Sequence, residues 1–513
     1  MDRPTLVFAT AVWVVVTFAV PARPTAVEAP TRPTTTSCAS PSSSGPVGST
    51  KTADSPSSSH WDPYPELLQD LVKSVKGILV SQDPKTGRFG TEPWVCNDQN
   101  VLLPLAAAWS IKDPANPWYH DAKLLEAILL GGEALVDAQD EKGMWTFRKK
   151  DNSTWGQIYM PWTYSRWVRA FLLIKDAMPP ERRAKWERGL LKGYEGISKT
   201  CLNHVHNIPC HHAMGLYAAG LAFGREDWKK QAAAFMAKVV SQQSPDGWWS
   251  EHVGPVVAYN FVYSDALGCY CAMSGDKSVL EALRRAAVFH ANLTYPNGAS
   301  VEVVDERNPY HEGVRLGNVG FTWMPEGRGF LLQQYGLHRR AHKEASVNDP
   351  DVFLLYGQRG PAVPTAAGRD GYTWTSSDGK IVVLRTKPWF VAASGYTADV
   401  PQNRWIQDRQ NFVSVFHDKV GLIVGGGNTK LQPLWSNFTV GDPALLRHRP
   451  GDTNPNFLPP PGLIHVPTSA AVKVGRTNVE VSLQYGPVQC RIDVVCAVSY
   501  THLRAHETPE HLV

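Results

Sequence analysis

Through much of the chain, apolar residues recur every three to four positions. Leu124, Ile128, Leu129 and Leu135 set the pattern. The same spacing predicts helices over Leu124 to Ala138, Trp162 to Met178, Arg182 to Ile197, His212 to Phe223, Trp228 to Gln242, Val256 to Met273 and Val279 to Asn292. Pro179, Pro180 and Pro245 stand at the boundaries of these stretches, where proline is tolerated. After about Val352 the texture changes to short alternating stretches punctuated by Gly, Asp and Asn. Ile381 to Arg385, Phe412 to Phe416, Gly421 to Val424, Ala471 to Val474 and Val479 to Leu483 are the predicted strands. Helices first and strands later predict an α+β multidomain chain.

Four apolar stretches end alike, in a glycine turn usually followed by an aromatic residue. They are Gln82-Asp-Pro-Lys-Thr-Gly87-Arg-Phe89, Gln139-Asp-Glu-Lys-Gly143-Met-Trp145, Gln243-Ser-Pro-Asp-Gly247-Trp-Trp249 and Tyr295-Pro-Asn-Gly298. The glycines lie 56 (87 to 143), 104 (143 to 247) and 51 (247 to 298) residues apart. The middle interval is twice 52, which places an unmarked turn near Gly196. Such a period holds two helices of about 15 residues and their loops. About five or six hairpins of this kind predict closure into an α/α toroid, here over residues 61–345, with the glycine turns at one end. An antiparallel β-sandwich is expected over 352–498, incomplete on its C-terminal side.

The two ends read differently. Residues 1–29 have the pattern of a signal peptide: Arg3, then the charge-free run Leu6 to Val20, then small residues at Ala22, Ala26 and Ala29. The run is short for a membrane span, and Cys38 lacks the aliphatic residue that precedes a lipidated cysteine. Residues 30–60 are a Pro/Ser/Thr-rich linker. Residues 499–513 break the strand texture and read as a translated sequencing-adapter tail, so the natural chain is expected to continue beyond them. The expected location is secreted or periplasmic. Export permits disulfides among the cysteines, with Cys201–Cys210 the favoured pair because it would clamp the histidine-rich loop. Cys269 and Cys271 lie too close to bridge within one helix.

Composition adds little but excludes something. A net charge of +4, from 51 basic and 47 acidic residues, carries no signature of nucleic-acid binding and suits an acidic substrate. The 18 Trp, 17 Tyr and 17 Phe fit a carbohydrate cleft, where sugar faces stack on flat rings, and equally fit a large core.

The densest polar constellation is Asn203-His204-Val-His206-Asn207-Ile-Pro-Cys210-His211-His212, at the start of a helix. A solvated loop with a capping asparagine is the plain alternative. Zinc fits poorly: no HExxH spacing and no carboxylate lie within it, and the chain has no CxxC pair. The next constellation runs from Asp246-Gly247-Trp-Trp-Ser-Glu251 into a helix carrying Tyr259 and Tyr263 one turn apart. Taken singly, either tyrosine reads as packing. Trp162, Tyr164 and Arg166 open one helix, and Glu306, Arg307, Tyr310 and His311 follow another; some of these are expected to line the same cleft as Asn207.

Together these elements resemble the heparinase II/III-like polysaccharide lyases, in which a toroid precedes an antiparallel β-sandwich. The family's characteristic asparagine precedes the glycine of an Ala-Gly-x-x-Phe helix end. Asn207 lies 13 residues before Gly220 of Ala219-Gly220-Leu-Ala-Phe223. The family's catalytic tyrosine follows a Gln…Asp-Gly…Glu segment. Gln243, Asp246-Gly247 and Glu251 lead here to Tyr259, 52 residues after Asn207.

The resemblance implies β-elimination of a uronic-acid polysaccharide. Asn207 would neutralise the substrate carboxylate, Tyr259 would serve as acid and base, and His211 or His212 is the alternative base. His204, Glu251, Tyr263, Arg166, Tyr310, His311, Arg404 and Trp405 are the expected substrate contacts. The family often places a histidine in a His-x-x-x-Asp stretch at the start of its sandwich. Asn403-Arg404-Trp405-Ile-Gln-Asp408 keeps the aspartate but has arginine or tryptophan there, which puts a histidine base from this stretch in doubt and offers Arg404 for the substrate's acidic group. No cofactor is implied, and a structural zinc or calcium ion finds no complete ligand set. The expected partner is an acidic polysaccharide, with no nucleic acid and no membrane span after leader cleavage. Two rivals stand beside this reading. One is a glycoside hydrolase using paired carboxylates from Asp246, Glu251, Asp265, Glu302, Asp305 and Glu306. The other is a non-catalytic glycan-binding protein using the Trp-rich turns.

Overall fold

The four glycine turns are built alike. The computed structural model describes residues 12–19, 59–90, 98–148, 154–251, 254–305, 308, 310–341, 349–365, 369–397, 412–425 and 467–496. Gly87, Gly143, Gly247 and Gly298 have φ of 70°, 86°, 95° and 89°, a region that strains other residues. A Cβ on Gly87 would lie 2.6 Å from the Leu130 carbonyl oxygen, and one on Gly247 would collide with that of Arg285. The turns at Gly87, Gly143 and Gly247 therefore rest on the backbone of a helix in the next hairpin, whereas Gly298 lies against the side chains of Leu337 and Val314. Glutamines pin three of them there: the side-chain amide of Gln82 donates to Ala127 O at 2.8 Å, of Gln139 to Gly189 O at 3.0 Å and of Gln243 to Ala282 O at 2.9 Å. Trp145 and Trp249 each return an indole N–H to a carbonyl ten residues back, on Leu135 and Val239.

The helices are α1 (Tyr64–Val80), α2 (Leu102–Ser110), α3 (Ala122–Ala138), α4 (Pro161–Ile174), α5 (Pro180–Thr200), α6 (Asn207–Phe223), α7 (Glu226–Ser241), α8 (Val257–Ser274), α9 (Leu280–Asn292), α10 (Pro325–Ala341) and α11 (Pro350–Tyr356). Seven of them match the periodicity within a few residues, because an amphipathic stripe needs one buried face. The turn expected near Gly196 is not there. Gly196 lies inside α5, where the absence of a side chain makes room for the Tyr159 ring. The chain turns instead at Cys201–His206. α6 packs against α4, α5, α7 and α8. The first helix meets the last: α1 packs on α11, and Trp61 stands edge-on to Tyr335 with ring centres 4.9 Å apart.

The strands are β1 (Val12–Ala19), β2 (Ser59–Trp61), β3 (Trp145–Arg148), β4 (Thr154–Ile158), β5 (Gly360–Ala362), β6 (Tyr372–Thr375), β7 (Ile381–Thr386), β8 (Trp389–Ser394), β9 (Val413–His417), β10 (Gly421–Val424), β11 (Ser469–Val474), β12 (Asn478–Tyr485) and β13 (Val488–Cys496). Two antiparallel sheets form, one from strands that follow the helices, in order β10-β9-β8-β7-β6, and one that adds β1 from before them, in order β1-β13-β12-β11. β2 pairs with β5, and β3 with β4 in a hairpin that the helical pattern concealed. One apolar cluster joins Val382, Leu384, Val391 and Val415 to Val479, Val481, Leu483 and Ile492 across the two sheets. β12 alternates as expected, but β7 and β8 do not, since they are buried on both faces. Their second face, with Ile381, Val383, Phe390 and Ala392, packs on Val257, Phe289 and Leu293 of the helical part.

The segment Val12–Ala19, within the expected signal peptide, pairs with β13 as an edge strand, in keeping with its valine-rich composition. The favoured Cys201–Cys210 bridge is not formed: both thiols are free. Cys201 caps α5 and packs with one core cluster, whereas Cys210 faces another, with Met214 and Trp249. Among the described residues no helix is long and apolar enough to cross a membrane.

Candidate active site

α6 starts where the histidine-rich turn ends. His206 is extended (φ −147°, ψ 171°) and Asn207 is the first helical residue. The Asn207 side chain is buried and its Nδ2 donates to Glu251 Oε2 at 3.4 Å. His206 Nδ1 lies 3.5 Å from the same oxygen, and the exposed His204 ring stands edge-on to His206 at 4.9 Å. Glu251 thus ties the two constellations together, although they are far apart in sequence.

One helical turn along α6 from Asn207, His211 enters the wall of a cavity of about 300 Å³. Trp162 and Arg166 from α4, Ala258, Phe261, Val262 and Asp265 from α8, the segment Val314–Asn318, and Asp349 complete the lining. His211 meets Trp162 edge-on at 4.5 Å, and its Nε2 lies 2.8 Å from Ser165 Oγ. Ser165 has one hydroxyl proton. If it goes to the Trp162 carbonyl, 3.2 Å away, the serine accepts from His211 Nε2–H and leaves Nδ1 bare. Nδ1 has no hydrogen-bond partner among the described residues. Burial, then Arg166, Arg169 and His212, hold this imidazole well below its ordinary range, so it is neutral. Arg166 donates to Asp349 Oδ1 at 3.3 Å.

Beneath the cavity wall lies Arg169, which is buried. It donates to Ser165 O at 2.9 Å and to Cys269 Sγ at 3.4 Å. Burial raises Asp351 to about 7 and Asp265 to about 6, against the opposing pull of Arg166 and Arg169.

The remaining expected site residues separate. Tyr259 is half-buried in the first turn of α8. Tyr263 is 1% exposed, stacked on Trp249 at 4.7 Å, and its hydroxyl is pushed up by burial; it does not line the cavity. His212 is buried beside the Tyr159 backbone and driven down to about 3 by desolvation. Tyr164 is buried in the helical core. Tyr310 is half-buried and accepts from Asn297 Nδ2 at 3.1 Å. His311 lines a small adjoining cavity with Glu302 and Asp305, and Ala258 and Arg315 line both cavities. Arg404, Trp405, Glu306 and Arg307 lie outside the described residues. Sequence reasoning missed Arg315, Asn318 and Asp349, and named Asp265 only as a hydrolase carboxylate. For Arg315 and Asn318 the signal was a polar texture with two glycines over Glu312–Asn318. Among the described residues, no three His, Cys, Asp or Glu side chains converge as a metal site requires.

No protein-family model matches the chain, and no curated protein does. Solved structures do. Chondroitin AC lyase of Streptomyces coelicolor A3, in complex with chondroitin sulphate, matches with TM-score 0.50 and 13% identity over 84% of this chain and 64% of that one. Heparinase III matches with TM-score 0.46 and 14% identity, over 76% of this chain and 58% of that one. A Paenibacillus xanthan lyase matches with TM-score 0.46 and 10% identity, over 70% and 38%. The chain spans less than two thirds of the length of each of these three. Its fold is polysaccharide-lyase-like.

Proposed function

We propose that this protein is an exported polysaccharide lyase that cleaves a uronic-acid polymer by β-elimination, on an α/α toroid followed by a β-sandwich. The α1–α11 contact and the β2–β5 pairing support closure of the helical hairpins into a ring. The cluster shared by the two sheets supports the sandwich. The likeness to a lyase that holds chondroitin sulphate fits an acidic polysaccharide as substrate.

The observation that carries the reading is the cavity itself. It combines a flat ring (Trp162), a neutral imidazole (His211) and an exposed guanidinium (Arg315), one helical turn from Asn207. In the elimination a base removes the proton from the carbon beside the carboxylate. That electron pair forms a carbon–carbon double bond, the bond to the glycosidic oxygen breaks, and an acid protonates the departing oxygen. Asn207 and Arg315 stabilise the charge that builds on the carboxylate. Tyr259, in the first turn of α8, protonates the leaving oxygen, and it or His211 takes the carbon-bound proton. Of the two neighbouring histidines, the cavity position of His211 favours it over His212.

The test is ultraviolet absorbance on alginate, hyaluronan, chondroitin and heparan-type polymers. A lyase product carries a conjugated double bond and absorbs. Asp265 and Asp349 on the cavity wall favour a second reading, hydrolysis by paired carboxylates. New reducing ends without absorbance would select it.

A further inference from the structure

We propose that Asp265 makes the cavity a subsite for a sugar unit with free hydroxyls and excludes one that carries a sulfate ester; the proposal rests on the polysaccharide reading above. The donors of the nearby arginines go elsewhere, and both act on Asp265 only through their field. Arg166 donates to Asp349, and Arg169 donates to the Ser165 carbonyl and the Cys269 sulfur. The Asp265 carboxylate, half-buried in the wall, has no hydrogen bond or ion pair among the described residues. A carboxylate only accepts. Sugar hydroxyls supply the donors it lacks, and Trp162 and Phe261 supply flat surfaces for a ring. A sulfate ester brings acceptors and a negative charge into a confined space where like charges repel strongly.

Arg315 and Asp265 stand apart along the cavity. Arg315 sits with Ala258, where the two cavities adjoin, and Asp265 lies seven residues further along α8, a rise of about 10 Å. That separation lets a uronate carboxylate meet Arg315 while a neighbouring sugar meets Asp265. Desolvation and Asp349 raise Asp265 to about 6 against Arg169 and Arg166, so it is ionised at neutral pH and desolvated enough to discriminate.

The experiment compares unsulfated chondroitin with chondroitin sulfate oligosaccharides of equal length, by ultraviolet assay and by calorimetric binding, for the parent and for Asp265→Asn. The parent is expected to favour the unsulfated chain in kcat/KM by roughly tenfold or more, and Asp265→Asn to shrink that ratio by roughly tenfold. Equal or better action on the sulfated chain overturns the proposal, as does an unchanged ratio in the variant. If neither chain yields an absorbing product, calorimetry decides the subsite, and the lyase reading itself falls only if alginate, hyaluronan and heparan-type polymers also yield none. Binding of the unsulfated chain alone sustains it, and equal binding or none overturns it. Should Asp265→Asn fail to fold, Asp265→Ser removes the same charge and is measured in the same way.

Discussion

His211 and His212 are neighbours in sequence with different surroundings, and the difference is testable residue by residue. His211 reaches the cavity wall, whereas His212 points into the core beside Tyr159. Tyr259→Phe and Asn207→Ala are each expected to lower turnover by roughly 10²-fold, read as the initial rate of absorbing product. Near-normal activity in Tyr259→Phe would leave His211 as the acid–base group. His212 makes a pH prediction. It sits near 3 in the fold and near 6.5 when unfolded, so the unfolded chain binds the proton first as pH falls. Its neutral burial is therefore fully favourable above about pH 6.5 and loses ground from there down to about 3. Asp265 and Asp351, both raised, act in the opposite sense over the upper part of this window. His212→Gln should therefore flatten the acid loss of stability by one proton, about 1.4 kcal/mol per pH unit, relative to the parent in urea titrations at pH 7 and pH 4.

At the scale of the element, the glycine turns set the spacing of the hairpins. Gly247 has φ of 95° and lies against the Arg285 carbonyl, whereas Gly275, at 71°, faces open space. Gly275→Ala should cost about 1 kcal/mol, the left-handed penalty alone. Gly247→Ala should cost more, roughly 3 kcal/mol, because the turn must also lift off the next helix. Thermal unfolding of the two variants separates these effects, and equal losses would mean that the turn is not anchored. The helical periods were legible because an amphipathic stripe repeats whatever it packs against. Gly196 misled for the converse reason: a glycine marks either a turn or a place where another side chain needs the space, and here it admits Tyr159.

Across the whole molecule, the helical part and the sheets are bonded at several points. Tyr295 Oη lies 2.8 Å from Glu302 Oε2 and 2.7 Å from Ser414 Oγ on β9. Asp246, beside Gly247, accepts from the Ser377 backbone N–H at 2.9 Å and from its hydroxyl at 2.7 Å. The loop that carries Glu251 is thereby braced by a strand turn from the sheet. Tyr295→Phe removes a buried hydroxyl and leaves two polar partners short, a loss of about 2 kcal/mol in urea unfolding. A neutral result would show that the Tyr295 link adds nothing to the other bonds and the packing between the two parts.

The sequence by itself determined the order of helices and strands, the repeat, and the residues that open α6 and α8, since local propensity and period are properties of neighbouring residues. It also singled out Asn207, Glu251 and His211, which share a dense polar motif or a repeat turn. Only the tertiary structure decided that Tyr263 stacks on Trp249 in the core, that Cys201 and Cys210 face different clusters, and that β7 and β8 are buried on both faces. It alone brought Asp265, Arg315 and Asp349 to one cavity. These residues come from three separate segments with no common period, and which of their side chains meet is set by how the helices pack, a long-range property that no window of sequence contains.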